Sequence, residues 1–374
     1  MESNKKIGID VGGSHVTVSV FENNSAEKQS QVVIRKEINS KENPLATISD
    51  IGSCITEVLI GGTTVDAVGI AFPGPFNYEK GVSEIIGVGG KFEQTFGVHV
   101  QQALKNFTGL VDTPFVFAND AHCFAEGAYF RHHLKSKRTV FLTLGTGFGS
   151  AFMIDGDLVE KHSDVPENGV FYDKPFLGTI ADDCFSTRWI LGEYKRISGE
   201  TIESVKTIAL LNTDVSNAVF RTFGANMGDF LFPWFEKLGC EELVIGGNIA
   251  KARALFLPAL EEKFNNLKIK INIVFCDDVE KSILKGATII ADKKNKLQMK
   301  KSILSKRKTT QPLLPLNAVV KTNGEYDVFP SFRTNSEVLV GFDSLANAIA
   351  KQKTVVIDGF GGVLWENFRN HLNS

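Results

Sequence analysis

Apolar and polar residues alternate over 6–11, 15–21, 31–35 and 66–71, with β-branched side chains at many of the alternating positions. That period of two predicts four strands. A period near 3.6 over about 45–60 and again over 97–107 predicts two helices, followed by a strand at 115–118. The segment "NDAHCFAEGAYF" (119–130) reads as a helix opened by Asn119 or Asp120, with Ala121, Phe124, Ala125 and Ala128 on one face. "TVFLTLGTGFGSAFMIDG" (139–156) reads as strand, glycine loop, strand and Asp-Gly turn. Helices are expected at about 182–197, 201–210 and 215–238, then a strand at 242–245, a helix at 250–265, a strand at 270–275 and a helix at 279–291. Strands mixed with helices in this order predict an α/β protein.

The pattern contains an echo. "KIGIDVGGSHVTVSVFENN" and "TVFLTLGTGFGSAFMIDGD" are both strand, glycine-rich turn, strand and polar turn, as if each opened its own lobe. A duplicated architecture follows, with one lobe over 1–118 and a second over 119–292. Beyond Asp292 the character changes. Lysines and arginines crowd 293–308 and two prolines follow, so 293–317 reads as a helix end and a basic linker whose charges are solvated. Residues 318–374 form an unassigned α/β appendix, in which "VVIDGFGGVLWENF" has a strand, glycine turn and helix but no phosphate-loop lysine.

Composition narrows the function. The chain has 374 residues, of which 43% are hydrophobic and 22% charged, enough for two cores. A net charge of −2 provides no overall field for nucleic acid or an anionic membrane. "MESNKKIGID" has no apolar signal core, and no stretch approaches the ~18–20 apolar residues of a membrane span. A cytoplasmic protein is expected. Five cysteines, none at CxxC spacing, are expected as buried free thiols. The seven histidines form no HExxH or HxxxH pair, so a metalloenzyme built on side-chain clusters is not expected.

Three loops could serve one triphosphate. In the first, Asp10 can hold Mg²⁺, in part through water, while the amides of Gly12, Gly13 and Ser14 approach phosphate oxygens without obstruction from a Cβ. In the second, "GTGFG", the amides of Gly145, Gly147 and Gly149 face inward and the Thr146 hydroxyl adds a donor. In the third, "ELVIGGNIAKA" (242–252), a strand ends in Gly246-Gly247, where a flat ring such as adenine can lie against backbone. No GxxxxGK[ST] occurs, and GxGxG is not the dinucleotide GxGxxG, so NAD is not expected. Asp120 is the candidate base. Capping a helix needs one residue, and the Asn119-Asp120 pair offers two: an amide for a substrate hydroxyl and a carboxylate for its proton.

These motifs, in this order, resemble the ROK family of sugar kinases and sugar-responsive repressors over about residues 5–292. The resemblance is carried by "DVGGSHVTVSVF", "GIAFPGPFNYEKG" (69–81), "FANDAHCFAEGA", "LGTGFGSAFMIDG" and "ELVIGGNIAKA". It implies a two-lobed actin-like ATPase fold, ATP and Mg²⁺, and phosphorylation of a hexose, glucose foremost, at its 6-hydroxyl. By position it implies Asp120 as the base, Asn119 on the ring hydroxyls, and Pro73-Gly74 on the sugar side. It further implies Asp10, Gly12, Gly13, Ser14 and Gly145–Gly149 on metal and phosphates, with Gly246-Gly247 on the nucleoside. The chain departs from the family in 166–190. Glu167-x-Gly169 remains, which implies Glu167 as a sugar ligand, but Val170 stands where the family has histidine. No cysteine-rich zinc loop follows, so zinc is not expected. Asp182 falls where the family has a second sugar-binding glutamate. Six residues before the first strand provide no room for the repressors' helix-turn-helix, so DNA binding is not expected. The resemblance favours a dimer. The alternative to a kinase is a non-catalytic sugar- or nucleotide-sensing protein.

Overall fold

The computed structural model describes residues 5–22, 33–60, 64–87 and 90–305, with 347, 350 and 351. The chain opens with the hairpin β1 (Lys5–Val11) and β2 (His15–Glu22), followed by β3 (Val33–Glu37) and α1 (Pro44–Val58). Then come β4 (Ala67–Ala71), the short hairpin β5 (Phe76–Asn77) and β6 (Val82–Ser83), α2 (Val100–Thr108) and β7 (Phe115–Ala118). The second half begins with α3 (Asp120–Arg131), β8 (Arg138–Leu144), β9 (Phe148–Ile154) and β10 (Asp157–Leu158). A small hairpin of β11 (Pro175–Phe176) and β12 (Thr179–Ile180) leads into α4 (Ala181–Cys184), α5 (Thr187–Ser198), α6 (Val205–Leu211) and α7 (Asp214–Leu238). The described fold closes with β13 (Glu242–Gly246), α8 (Arg253–Asn266), β14 (Asn272–Cys276) and α9 (Val279–Ser305).

The echo in the sequence is an echo in topology. One sheet runs β3-β2-β1-β4-β7 and the other β10-β9-β8-β13-β14. In both, the opening hairpin is antiparallel and the two later strands join in parallel. This is the duplicated, two-lobed actin-like arrangement. Each lobe has its own core. The first gathers Ile7, Ile9, Val18, Ile51, Val68 and Phe117. The second is aromatic, with Phe148 against Phe185 at 5.0 Å and Phe171 against Phe230 at 5.1 Å between ring centroids.

Two helices, α3 and α9, run between the lobes, and small residues let them approach closely. A Cβ on Gly127 would lie 1.8 Å from the Ser282 carbonyl oxygen, and one on Gly286 would lie 1.7 Å from that of Cys123. Gly8 and Gly69 meet the same helix at Leu284 O and Ala287 O, at 2.2 and 2.1 Å. The final helix therefore packs back onto the first sheet. It also runs further than the helix expected over 279–291: residues 293–305 are helical, where a helix end and then a linker are expected. The reason is tertiary. Lys293 donates to the buried Glu126 at 2.7 Å, Lys294 to the Phe117 carbonyl at 3.3 Å, and Lys6 and Lys296 both bind Asp292. Residues 306–317 and nearly all of the appendix lie outside the described residues.

Smaller differences have local causes. The helix expected over 97–107 begins at Val100, because a 3₁₀ turn at Glu93–Thr95 and Gly97 at φ 76° precede it. The one expected over 182–197 is split between α4 and α5, where Phe185 leaves helical geometry to enter the core. All five cysteines are free and buried, as expected. Among the described residues no helix is long and apolar enough to cross a membrane.

Candidate functional site

Register places the motifs of the first lobe on one edge. Asp10 of β1 pairs with Ala71 of β4, and Ala71 pairs with Ala118 of β7. All three strands are parallel, so Asp10-Val11-Gly12, Phe72-Pro73-Gly74 and Asn119-Asp120 leave the sheet together at its carboxyl edge. Two strand spacings separate Asp10's strand from Asp120's, about 10 Å. In the second lobe Thr143, Gly246 and Cys276 are aligned in the same way, and Gly145–Gly147 and Gly247 follow at that sheet's carboxyl edge. Ligands of open α/β sheets bind at such edges.

Asp120 begins α3, and Asn119 is its N-cap. Both carboxamide and carboxylate accept from the Ala121 N–H, each at 2.9 Å. Asp120 is an exposed residue, yet its carboxyl is set deep among protein atoms. The depth governs its chemistry: burial raises its pKa, partly offset by the Ala121 hydrogen bond and His122. Asp10 is 8% exposed, and its pKa is pushed up to about 7, first by burial and then by the nearby charges of Asp120 and Glu280. A carboxyl on β1 and one at the start of α3 thus feel each other across one edge.

The same cluster is suited to a cation. Ligand atoms of Asp10, His15 and Glu280 lie within 4.8 Å of one another. Glu280 is already engaged, accepting from Thr17 Oγ1 at 2.6 Å and from Arg35 Nη1. Those contacts are all to Glu280 Oε1; its Oε2 and the Asp10 oxygens stay open among the described residues, hard ligands of the kind Mg²⁺ takes, so the residues fit that ion.

The glycine loops have different neighbours. In the first, Gly12 N–H is used by the His15 carbonyl at 2.9 Å, while those of Gly13 and exposed Ser14 have no partner among the described residues. In the second, Gly145 has open space where a side chain would be, and Thr146 and Gly147 are exposed. Gly149 instead makes room for Thr143 Oγ1 across the hairpin. The Gly145 carbonyl is held by Thr187 through both N–H and hydroxyl, at 2.8 and 2.9 Å. In the third, the space beside Gly246 is filled by Phe124 and Val279, and that beside Gly247, at φ 100°, by the Leu144 carbonyl. These two glycines bring β13 close to its neighbours; half-buried Gly247 and exposed Asn248 form the accessible part.

The acids of the divergent segment separate. Asp182 braces the second loop: Oδ1 accepts from Phe148 N–H at 2.6 Å and Oδ2 from Arg188 at 2.7 Å. Glu167 is exposed in a short 3₁₀ turn ending at Gly169, which packs against the Glu160 backbone. Glu160 in turn reaches His122 Nδ1 at 3.3 Å, two residues beyond Asp120.

Several neighbours of the site have no motif to announce them. Tyr78 donates to the Phe72 carbonyl at 3.0 Å and accepts from Asn119 at 3.3 Å, tying the Pro73-Gly74 loop to the start of α3. Glu280 and the His122–Glu160 pair are also long-range encounters. Only the composition of the 76–81 segment, aromatic beside Pro-Gly-Pro, hints at Tyr78.

Residues 6–169 match the model of the ROK family. An N-acetyl-D-glucosamine kinase from Aliivibrio fischeri is 28% identical over 162 residues, 42% of this chain and 49% of that protein. The chain spans about half the length of the curated relatives it matches. Among solved structures, a ROK hexokinase from Thermus thermophilus superposes with a TM-score of 0.63 at 16% identity, covering 78% of this chain and 99% of that one. A ROK family glucokinase from Streptomyces griseus, in complex with glucose and AMPPNP, has a TM-score of 0.60 at 18% identity, covering 77% and 99%.

Proposed function

We propose that this chain, whose residues 6–169 are a ROK-family sequence, is an ATP-dependent kinase for the 6-hydroxyl of a hexose, glucose first and its N-acetylamino form second. The observation that carries the reading is the convergence of Asp10 and Asp120 on one sheet edge, next to a glycine loop whose Gly13 and Ser14 amides have no partner among the described residues.

Phosphoryl transfer asks the protein mainly to position groups and offset charge. Asp120 accepts the proton of the sugar hydroxyl as that oxygen bonds to the γ-phosphorus and the bond to the β-phosphate bridging oxygen breaks, releasing ADP. A carboxyl with a raised pKa is a better base at neutral pH than an ordinary aspartate, provided it is ionised when the sugar binds. Asn119 orients ring hydroxyls, and Tyr78 fixes Asn119 by accepting from its amide. Glu167 supplies a further sugar contact from its exposed turn. Gly13-Ser14 and Thr146-Gly147 cradle the phosphates, since the Gly12 and Gly145 amides are spent on the His15 and Gly147 carbonyls, and Gly247 with Asn248 lies by the nucleoside. Asp10 would hold Mg²⁺, which when bound neutralises charge on the β- and γ-phosphates.

A second reading, a protein that senses sugar or nucleotide without turnover, has two observations on its side. Val170 replaces the family's histidine, and both Asp182 oxygens are occupied by Phe148 N–H and Arg188. ADP release from ATP–Mg²⁺ across a panel of hexoses and N-acetylhexosamines separates the two. Sugar-dependent release supports the kinase and identifies the acceptor. Ligand-induced thermal stabilisation with no ADP release supports the sensor.

A further inference from the structure

Lys91 lies on the first glycine loop. A Cβ placed on Gly13 would stand 2.9 Å from Lys91 Cδ, 3.2 Å from Cε and 3.3 Å from Nζ. The absent side chain at Gly13 is therefore where the lysine stem runs, and its ammonium ends beside Gly13, whose amide, like that of Ser14, has no partner among the described residues.

This placement is built into the fold. The Gly13 carbonyl accepts from Ser40 Oγ at 2.6 Å, and the Ser40 carbonyl accepts from Phe92 N–H at 2.6 Å. Phe92 is 1% exposed, 5.4 Å from the Phe72 ring, and adopts φ 57°. A bulky residue in the left-handed region persists only where its surroundings over-determine it. Its effect here is to set the residue before it, Lys91, against the loop. Gly90, at φ 83° and bonded through N–H to Glu93, completes the turn.

Charge points the same way. The neighbouring cations are satisfied: Arg35 binds Glu280 and Lys36 binds Asp50 at 2.7 Å. Lys91 has no carboxylate partner among the described residues, nor does Lys41, whose stem reaches to 3.6 Å from a Cβ on Gly90. The nearby acids are engaged, Glu93 with Gly90 N–H and Glu42 with Asn39. The Lys91 ammonium at Gly13, with Lys41 beside Gly90 of the same turn, forms a receptor for a multiply charged anion, neither lysine having a carboxylate partner among the described residues.

We infer that Lys91, supported by Lys41, grips the terminal phosphoryl group of a nucleoside triphosphate held by the amides of Gly13 and Ser14. The inference rests on the kinase reading and adds to it a residue that distinguishes triphosphate from diphosphate. A lysine ammonium acts as a point charge on non-bridging oxygens, and its attraction is strongest for the most highly charged end of the chain of phosphates.

The test is calorimetric titration of the full chain with AMPPNP–Mg²⁺ and with ADP–Mg²⁺, in wild type, Lys91→Ala and Lys91→Arg, each first shown to melt at the same temperature. Losing a charged hydrogen bond weakens AMPPNP binding by about ten- to a hundredfold in Lys91→Ala, while ADP binding changes by less than about threefold. Lys91→Arg recovers most of the difference. Equal losses for both nucleotides, or no loss for AMPPNP, overturn the assignment of Lys91 and leave the kinase reading in place. Wild type that binds neither nucleotide overturns both.

Discussion

Replacing Asp10 by Asn removes a carboxyl whose pKa burial, Asp120 and Glu280 together push from 3.8 up to about 7. The raised value means that the folded chain keeps a proton which the unfolded chain releases above pH 3.8. Stability from this group is complete below that pH and is lost as pH rises toward 7. Each pH unit in that window costs about 1.4 kcal/mol, so the wild type has given up about 4 kcal/mol relative to a neutral side chain by pH 7. For a domain of this size, with about 2–4 °C per kcal/mol, the Asn variant should melt up to about 8–16 °C above wild type at pH 7.5. At pH 5 the advantage should be only about a third of that, since most of the window still lies ahead. Melting curves of both proteins from pH 5 to 8 measure the difference directly, and groups common to both cancel. Adding Mg²⁺ at pH 7.5 should raise the wild-type Tm and leave that of Asp10→Asn almost unmoved, because the cation binds the charge that destabilises the apo protein. A difference in Tm that stays constant across the pH range would refute the reasoning about the site's electrostatics.

Three further outcomes follow from the geometry. Asp120→Asn should lower sugar-dependent ADP release by at least ~10² with little change in sugar affinity; near-normal turnover would remove Asp120 from the chemistry. Gly127→Ala puts a methyl 1.8 Å from the Ser282 carbonyl and should cost at least about 1–3 kcal/mol in chemical unfolding. Gly192→Ala, in α5 with nothing within 4 Å, should instead stabilise by about 0.5–1 kcal/mol, so similar values for the two would count against the close helix crossing. Lys293→Met leaves the 5%-exposed Glu126 without its partner at 2.7 Å and should lower stability by about 1–3 kcal/mol. Glu126→Gln in that background should restore part of it.

The alternation of apolar residues over β1, β2 and β4, and the two strand–glycine–strand units, determined by themselves that the chain is α/β and built on a repeat. Such patterns are legible because each belongs to a short local element rich in apolar and β-branched residues, here strands buried on both faces. The glycine loops and the Asn119-Asp120 pair were legible for the same reason: each lies at a strand end within a few residues. What they become together was decided by pairing between distant segments. Parallel register through β4 puts Asp10 and Asp120 on one edge, and no spacing in the chain states that register. The extra length of α9 depended on Glu126 and Phe117 meeting lysines of a run that in isolation reads as a helix end and solvated linker. Gly246 looked like an open platform, yet Phe124 and Val279 fill its space. Lys91 has no motif at all. Only the Gly13–Ser40–Phe92 hydrogen bonds bring it to the loop, because a side chain's partners across the fold depend on where the backbone travels between them, and local sequence does not encode that path.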